Sequence, residues 1–241
     1  MKNGWMMTFL LLICCSSVHA QYVWQVQAAP ILCKTSIIDR QYSSTSFSGV
    51  IPGGALGLSL VHGRAAHQLD LLYTSGNLHT DTHPAYDAKQ QRFCADYTYL
   101  YAIRAPASSP LTLDLGGAAN FFYATRTLSA FINDNNPFDL AASLGAAARL
   151  GLSFGDRLPG LSLSDRVSVP LISYLSQNGA DHRVAGPDGF LRLTNFLSLD
   201  KSLTERQQLS LSYSWDYYHI KGLRETREAD HRLALNYRLI L

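Results

Sequence analysis

Apolar and polar residues alternate with period two along this chain, over ten or more positions at a time, and few folds can absorb that pattern. In "LTLDLGGAANFFY" one face carries Leu111, Leu113, Leu115, Gly117, Ala119, Phe121 and Tyr123. In "DLAASLGAAARLGLSF" it carries Leu140, Ala142, Leu144, Ala146, Ala148, Leu150, Leu152 and Phe154, with Ser143, Arg149 and Ser153 opposite. The same rhythm runs through Leu56 to Leu60, Leu69 to Tyr73, Phe93 to Ile103, Leu209 to Tyr217 and Leu233 to Leu241. It is imperfect in "LSLSDRVSVPL" and "FLRLTNFLSL", where Asp165 and Asn195 interrupt the apolar face. Period two means strands with one apolar and one polar side. Strands in soluble sheets average about 5–6 residues, whereas a tilted strand crossing a bilayer needs about 9–11. The length of these nine candidate strands favours a membrane.

The connections carry independent information. In order they run short, long, short, long, with short ones near Gly63, Ala107, Gly155 and Leu203 and long ones spanning 75–91, 127–137, 176–188 and 219–227. Tight turns at one end and longer loops at the other are the pattern of an up-and-down barrel in an outer membrane. Parity then requires one more rising strand before Leu56, because the strand at 56–60 descends into a short turn. We expect it within residues 22–40, with a plug or a periplasmic tail over 21–45 as the alternative. The expected fold is all-β, a closed antiparallel up-and-down transmembrane barrel of about ten strands, within a range of 8 to 12.

Residues 1–20, "MKNGWMMTFLLLICCSSVHA", have one charge at Lys2, an apolar run over 5–15, and Val18-His19-Ala20 as a small-x-small cleavage signal. They read as an export signal peptide, which leaves residues 21–241 as a single barrel domain. Without Lys2 the 20 basic residues fall to 19, against 18 acidic ones. So balanced a charge implies no nucleic-acid partner. Two cysteines survive the cleavage, Cys33 and Cys94, and in an exported chain they are candidates for one disulfide.

A barrel that points its apolar faces to lipid points its polar faces into the lumen. Those faces carry Asp70, Asp96, Asp114 and Asp216 together with Arg149, Arg166, Arg192, Arg232 and Arg238. Acids come mostly from the first half of the chain and bases from the second, so ladders across the lumen are expected. About ten strands enclose an interior that side chains nearly fill. The expected lumen is narrow and largely plugged, serving either as a selective solute path or as a charge-paired core.

Other chemistry is sparse. His79, Asp81 and His83 in "NLHTDTHPAYD" have the i, i+2, i+4 spacing that aims three ligands the same way in an extended chain, a candidate divalent-metal set. A hydrolase would need a serine within reach of an oriented histidine. Ser75 with His79, and Ser173 with His182, His219 and His231, are the candidates near the long loops, but no G-x-S-x-G surrounds any of them. The glycines of "IPGGALGLSL" and "LGGAANF" form no nucleotide-binding fingerprint. No cofactor is expected.

With its signal-like start, alternating loop lengths and the closing segment "DHRLALNYRLIL", the chain resembles bacterial outer-membrane β-barrel proteins. Such barrels commonly end on an aromatic residue, and the last residue here is Leu241. The resemblance implies a cell-outer-membrane location, lipid as the surrounding partner, and the barrel-assembly machinery as a partner during biogenesis. The leading expectation is a non-enzymatic protein with a binding, structural or small-solute channel role in the external loops or the lumen. An outer-membrane lipid-active hydrolase and a secreted soluble β-sandwich are the alternatives. Barrel and sandwich are separable on a detergent gel: the unboiled protein is expected to migrate differently from the boiled one, and identical migration from a soluble fraction would exclude the barrel.

Overall fold

The computed structural model describes residues 22–39, 46–80, 87–103, 109–128, 138–177, 181–221 and 225–241. Their strands are β1 (Tyr22–Asp39), β2 (Ser46–His62), β3 (Ala65–Thr80), β4 (Ala88–Ile103), β5 (Leu111–Leu128), β6 (Phe138–Ser153), β7 (Leu161–Gln177), β8 (Asp181–Ala185), β9 (Phe190–Ser202), β10 (Gln207–Ile220) and β11 (Thr226–Ile240). Each pairs antiparallel with its neighbours in sequence, except that β8 and β9 both pair with β7; β1 pairs with β11, so the sheet closes on itself. Because β8 and β9 descend along the same flank of β7, the eleven strands make ten staves. The segment expected to supply the missing rising strand does so as β1, 18 residues long.

Closure follows from the register. β1 and β11 are paired from Gln25↔Ile240 to Asp39↔Thr226. Beyond the last strand residue, the Leu241 amide donates to the Trp24 carbonyl at 2.9 Å, and the Ile240 amide donates to Arg206 O at 2.9 Å. The ladder is interrupted opposite Ala29 and Pro30, where proline has no amide to donate, and is continuous on either side, the internal pairing a spanning sheet requires.

Alternation sets the two faces. Leu32, Leu56, Leu115, Leu211, Leu233 and Leu235 are exposed on the outside, while Ile31, Cys33, Thr98, Ser212, Asp230 and Arg232 are buried within. Asp165 and Asn195 also face outward, and the Asn195 amide donates to the Asp165 carboxylate at 2.5 Å. The two residues that interrupt the apolar pattern thus satisfy one another across the β7–β9 pair.

Two departures from simple alternation are local. On β7, Gly145 pairs with Pro170 and Leu144 with Ile172, so Leu171 is an extra residue in a bulge. Proline has no amide for the ladder, and a bulge is where a sheet tolerates it. Gly145 is required opposite, because a Cβ there would stand 2.1 Å from Val169 O. The bulge also restores inward orientation to Ser173 and Leu175. The second departure lies before "FLRLTNFLSL", which is one uninterrupted strand as expected: the connection expected over 176–188 contains a further short strand, β8, separated from β9 by a turn at 186–189. The Phe190 amide bonds Gly186 O at 2.9 Å there, and β9 leaves β7 above Ser168↔Thr194. Gly63, at φ 58, makes the tight turn from β2 to β3.

Several strands have 16 to 18 residues. At about 3.3 Å per residue and a tilt near 40°, these rise about 40 Å, well beyond an apolar band of about 25 Å. Apolar alternation reports only the middle of such a strand, so β3, β5 and β7 run past the ends expected from sequence.

Removing residues 237–241 deletes the pairs from Ala28↔Tyr237 to Gln25↔Ile240 and opens the seam. The truncated chain is expected to yield no heat-modifiable, protease-resistant form when refolded into detergent micelles or vesicles. Normal folding of that truncation would show that the seam is dispensable.

Candidate functional site in the lumen

At the long-loop half of the barrel the lumen is filled by charged side chains from strands on opposite walls. Arg92 on β4 is 2 % exposed, and its carboxylate partners lie on β10 and β11, five and four staves along the wall. Its Nη2 donates to Asp216 Oδ2 at 2.6 Å, and Nη1 donates to Glu228 Oε1 at 2.9 Å and to Asp230. The Nε–H donates to Cys94 Sγ at 3.3 Å. The Phe122 ring lies 4.8 Å below the guanidinium, a cation–π contact.

Two further arginines share those acids. Arg192 donates to Asp216 Oδ1 at 3.1 Å and to Asp96 Oδ1 at 2.9 Å, and Arg232 donates to Asp216 Oδ2 at 2.8 Å and Asp230 Oδ2 at 3.0 Å. One layer nearer the long loops, Arg126 donates to Asp139 at 2.6 Å and to the Tyr218 hydroxyl at 2.6 Å, which in turn donates to Glu228 at 2.8 Å. Gln90 and Thr35 donate to Glu228 and Asp230 at 2.9 and 2.6 Å. Four guanidinium groups thus meet five carboxylates, and Asp216, Glu228 and Asp230 are each shared by two or three of them, the condition under which buried charges persist.

Aromatic and aliphatic side chains complete the fill. Phe122, Phe190, Leu175, Tyr218 and Ile220 pack with Cys33 and Cys94 in one cluster, and Ile37, Phe47, Ile51, Leu78 and Ala88 form a second. The two cysteines, candidates for a bridge, are buried free thiols. Cys94 accepts from Arg92, and Cys33 lies 3.4 Å from the Thr35 hydroxyl.

The short-turn half is more open. Arg166 pairs with Asp70 at 2.8 Å and Arg149 with Asp114 at 2.6 Å. Arg238 meets no carboxylate among the described residues; its guanidinium donates to Gln27 Oε1 at 3.0 Å and to Gln208 Oε1 at 2.8 Å. Below these pairs lie two polar cavities of about 400 and 270 Å³, which share Gln25, Gln68, Arg149 and Arg238.

All nine charged residues selected from the alternation face the lumen. The structure brings Asp96, Asp216, Arg192 and Arg232 into the sealing cluster and leaves Asp70, Asp114, Arg149, Arg166 and Arg238 around the vestibule. Arg92, Arg126, Asp139, Glu228 and Asp230, central to the cluster, were outside the nine. Their signal was available, since Glu228 and Asp230 continue the inward register of Arg232, and Arg92 that of Asp96.

Elsewhere, His79 lies on the outward face of β3 and bonds Asp87 at 2.9 Å, while Asp81 and His83 fall outside the described residues. Among the described residues no cluster of three or more His, Cys, Asp or Glu is arranged to hold a metal. Ser173 points inward and donates to Ser143 at 2.8 Å, whereas His182, His219 and His231 are outward, bonded to Tyr174, Glu225 and Tyr213.

No protein-family model matches the chain, and no curated protein matches it. Solved structures do match in fold. The outer-membrane protease OmpT from Escherichia coli aligns with a TM-score of 0.55 at 8 % identity, covering 94 % of this chain and 99 % of that one. An outer-membrane channel from Pseudomonas putida F1 aligns with a TM-score of 0.51 at 13 % identity, covering 93 % and 97 %. The chain therefore has the fold of bacterial outer-membrane β-barrels.

Arg92→Met removes the one cation that touches Asp216, Glu228 and Asp230 together. Unfolding in detergent micelles is expected to show a loss of about 3–5 kcal/mol, the cost of stranding buried charge. Arg227→Gln, at a 45 % exposed guanidinium beside Glu225, is expected to cost less than about 1 kcal/mol. Equal effects from the two substitutions would deny the cluster its structural role.

Proposed function

We propose that this protein is a non-enzymatic outer-membrane barrel whose lumen is sealed, so that it binds or scaffolds at its ends and does not conduct solutes. The observation that carries the reading is the cross-lumen cluster. Arg92, Asp216, Tyr218, Glu228 and Asp230 are each 2 % exposed or less, so water reaches them from neither end. A solute path would have to break several charge-assisted hydrogen bonds and strand the remaining charges. The membrane part rests on the closed ladder and on the exposed leucines, tyrosines and valines outside it, an apolar surface far larger than the few hundred Å² that soluble monomers tolerate. By the loop-length rule the short-turn end is periplasmic and the long-loop end external.

Hydrolysis has less support. Ser173 points inward while His182, His219 and His231 point outward, and Ser75, on the same face as His79, is four residues from it along an extended strand, about 13 Å away and beyond hydrogen-bond reach. A nucleophile and its base must share a face to exchange a proton.

Reconstitution of the wild-type protein into planar bilayers tests the reading. Insertion without stepwise currents is expected, and discrete open-channel steps in the unmodified protein would overturn it.

A further inference from the structure

The short-turn end of the lumen contains a cationic group with no anion of its own among the described residues. Arg238 projects inward from β11 near the seam, and its guanidinium is held by neutral acceptors, Gln27 Oε1 and Gln208 Oε1. Four staves away on β6, Arg149 reaches the same space. Its side chain is 36 % exposed although it pairs with Asp114, which is itself almost fully covered, so the exposed part of that ion pair is the cation. These two arginines belong to the lining of both cavities.

Charge around the cavities is one-sided where it is accessible. In the smaller cavity Arg149 and Arg238 are the charged lining residues among those described, apart from what His67 carries when protonated. The larger one adds Arg166 and Asp200. Asp200 is 6 % exposed, and one of its oxygens accepts the Ser198 hydroxyl at 2.9 Å. Arg166 pairs with Asp70 through Nη2, and its Nη1 has no hydrogen-bond partner among the described residues. Serine hydroxyls at 153, 162, 164 and 202 complete a lining rich in donors and poor in competing acids.

We propose that this vestibule is a binding site for a small soluble oxyanion, a carboxylate- or phosphate-bearing solute entering from the periplasmic side, with Arg238 and Arg149 as its binding residues and Arg166 as a deeper donor. A guanidinium presents paired N–H groups that match such oxygens, and neutral glutamines orient Arg238 without quenching its charge. The inference uses the proposed seal only in treating the vestibule as a blind end. Conductance tests the seal, and binding tests the vestibule.

The full-length protein in neutral detergent micelles is titrated calorimetrically with citrate and with inorganic phosphate, with putrescine as the cationic control. Citrate or phosphate is expected to bind and putrescine is not. Affinity is expected to fall at least about tenfold in R238Q and in R149Q and to weaken with added salt, as charge-assisted bonds do. Should either variant fail to fold, the wild-type protein supplies the second measurement: phenylglyoxal modification of Arg149 and Arg238, read by mass spectrometry, is expected to be slowed by citrate while modification of Arg227 is not. Undiminished citrate binding in the R149Q/R238Q double variant overturns the proposal. So does the absence of both binding and protection, or binding confined to a short-chain phosphatidate, which would make the ligand a lipid headgroup.

Discussion

Every other property of this molecule depends on one constraint, that the backbone amides and carbonyls of a wide sheet must all find partners within the chain. An open sheet leaves two edges, and in hydrocarbon each unpaired group costs several kcal/mol. The β1–β11 ladder removes both edges, and it continues to the Leu241 amide on Trp24 O. A one-residue slip there would reverse the faces of β11, sending Arg232 and Arg238 outward at about 2–4 kcal/mol each near a bilayer midplane. Register and closure are therefore one requirement.

Closing ten staves creates an interior too narrow to stay wet along its whole length yet lined by whatever the inward positions carry. Those positions carry acids and arginines, so they neutralise one another across the lumen. Arg92 is central to this because it is long, planar and able to donate to several carboxylates at once, and because it lies half the circumference from Asp216. Phe122 and Tyr218 flank it and exclude water, which strengthens those bonds and raises the cost of leaving any one unmade. Toward the short turns the arginines are joined mainly by serine and glutamine, side chains too small or too neutral to knit them into a second cross-lumen cluster, and a vestibule remains.

Much of this was legible before any coordinates. Alternation assigned faces correctly for the strands at Leu56, Phe93, Leu111 and Leu233, because period two is a local property of an extended chain. Parity of the connections located a strand over the N-terminal segment where periodicity alone left its register open. Three features escaped. The extensions of β3, β5 and β7 were hidden because strand outside the apolar band needs no apolar face. The break between β8 and β9 and the bulge at Leu171 depend on how neighbouring staves meet, with Pro170 and Gly145 as the faint local signs. The cross-lumen cluster was legible only in part, since Glu228 and Asp230 lie between the long connection ending at 227 and the apolar face beginning at Leu233, where no apolar alternation marks them.

The sequence by itself determined which side chains face in and which face out, how many staves the wall needs, and that the two ends differ, because these follow from backbone periodicity and loop length. Tertiary structure alone decided which charges meet. Arg92 and Asp216 are 124 positions apart and Arg166 and Asp70 are 96 apart. Their pairing is set by the curvature and stagger of the closed wall, which no local pattern encodes. The same stagger brings Arg149 and Arg238 to one cavity and leaves Arg238, among the described residues, without a carboxylate.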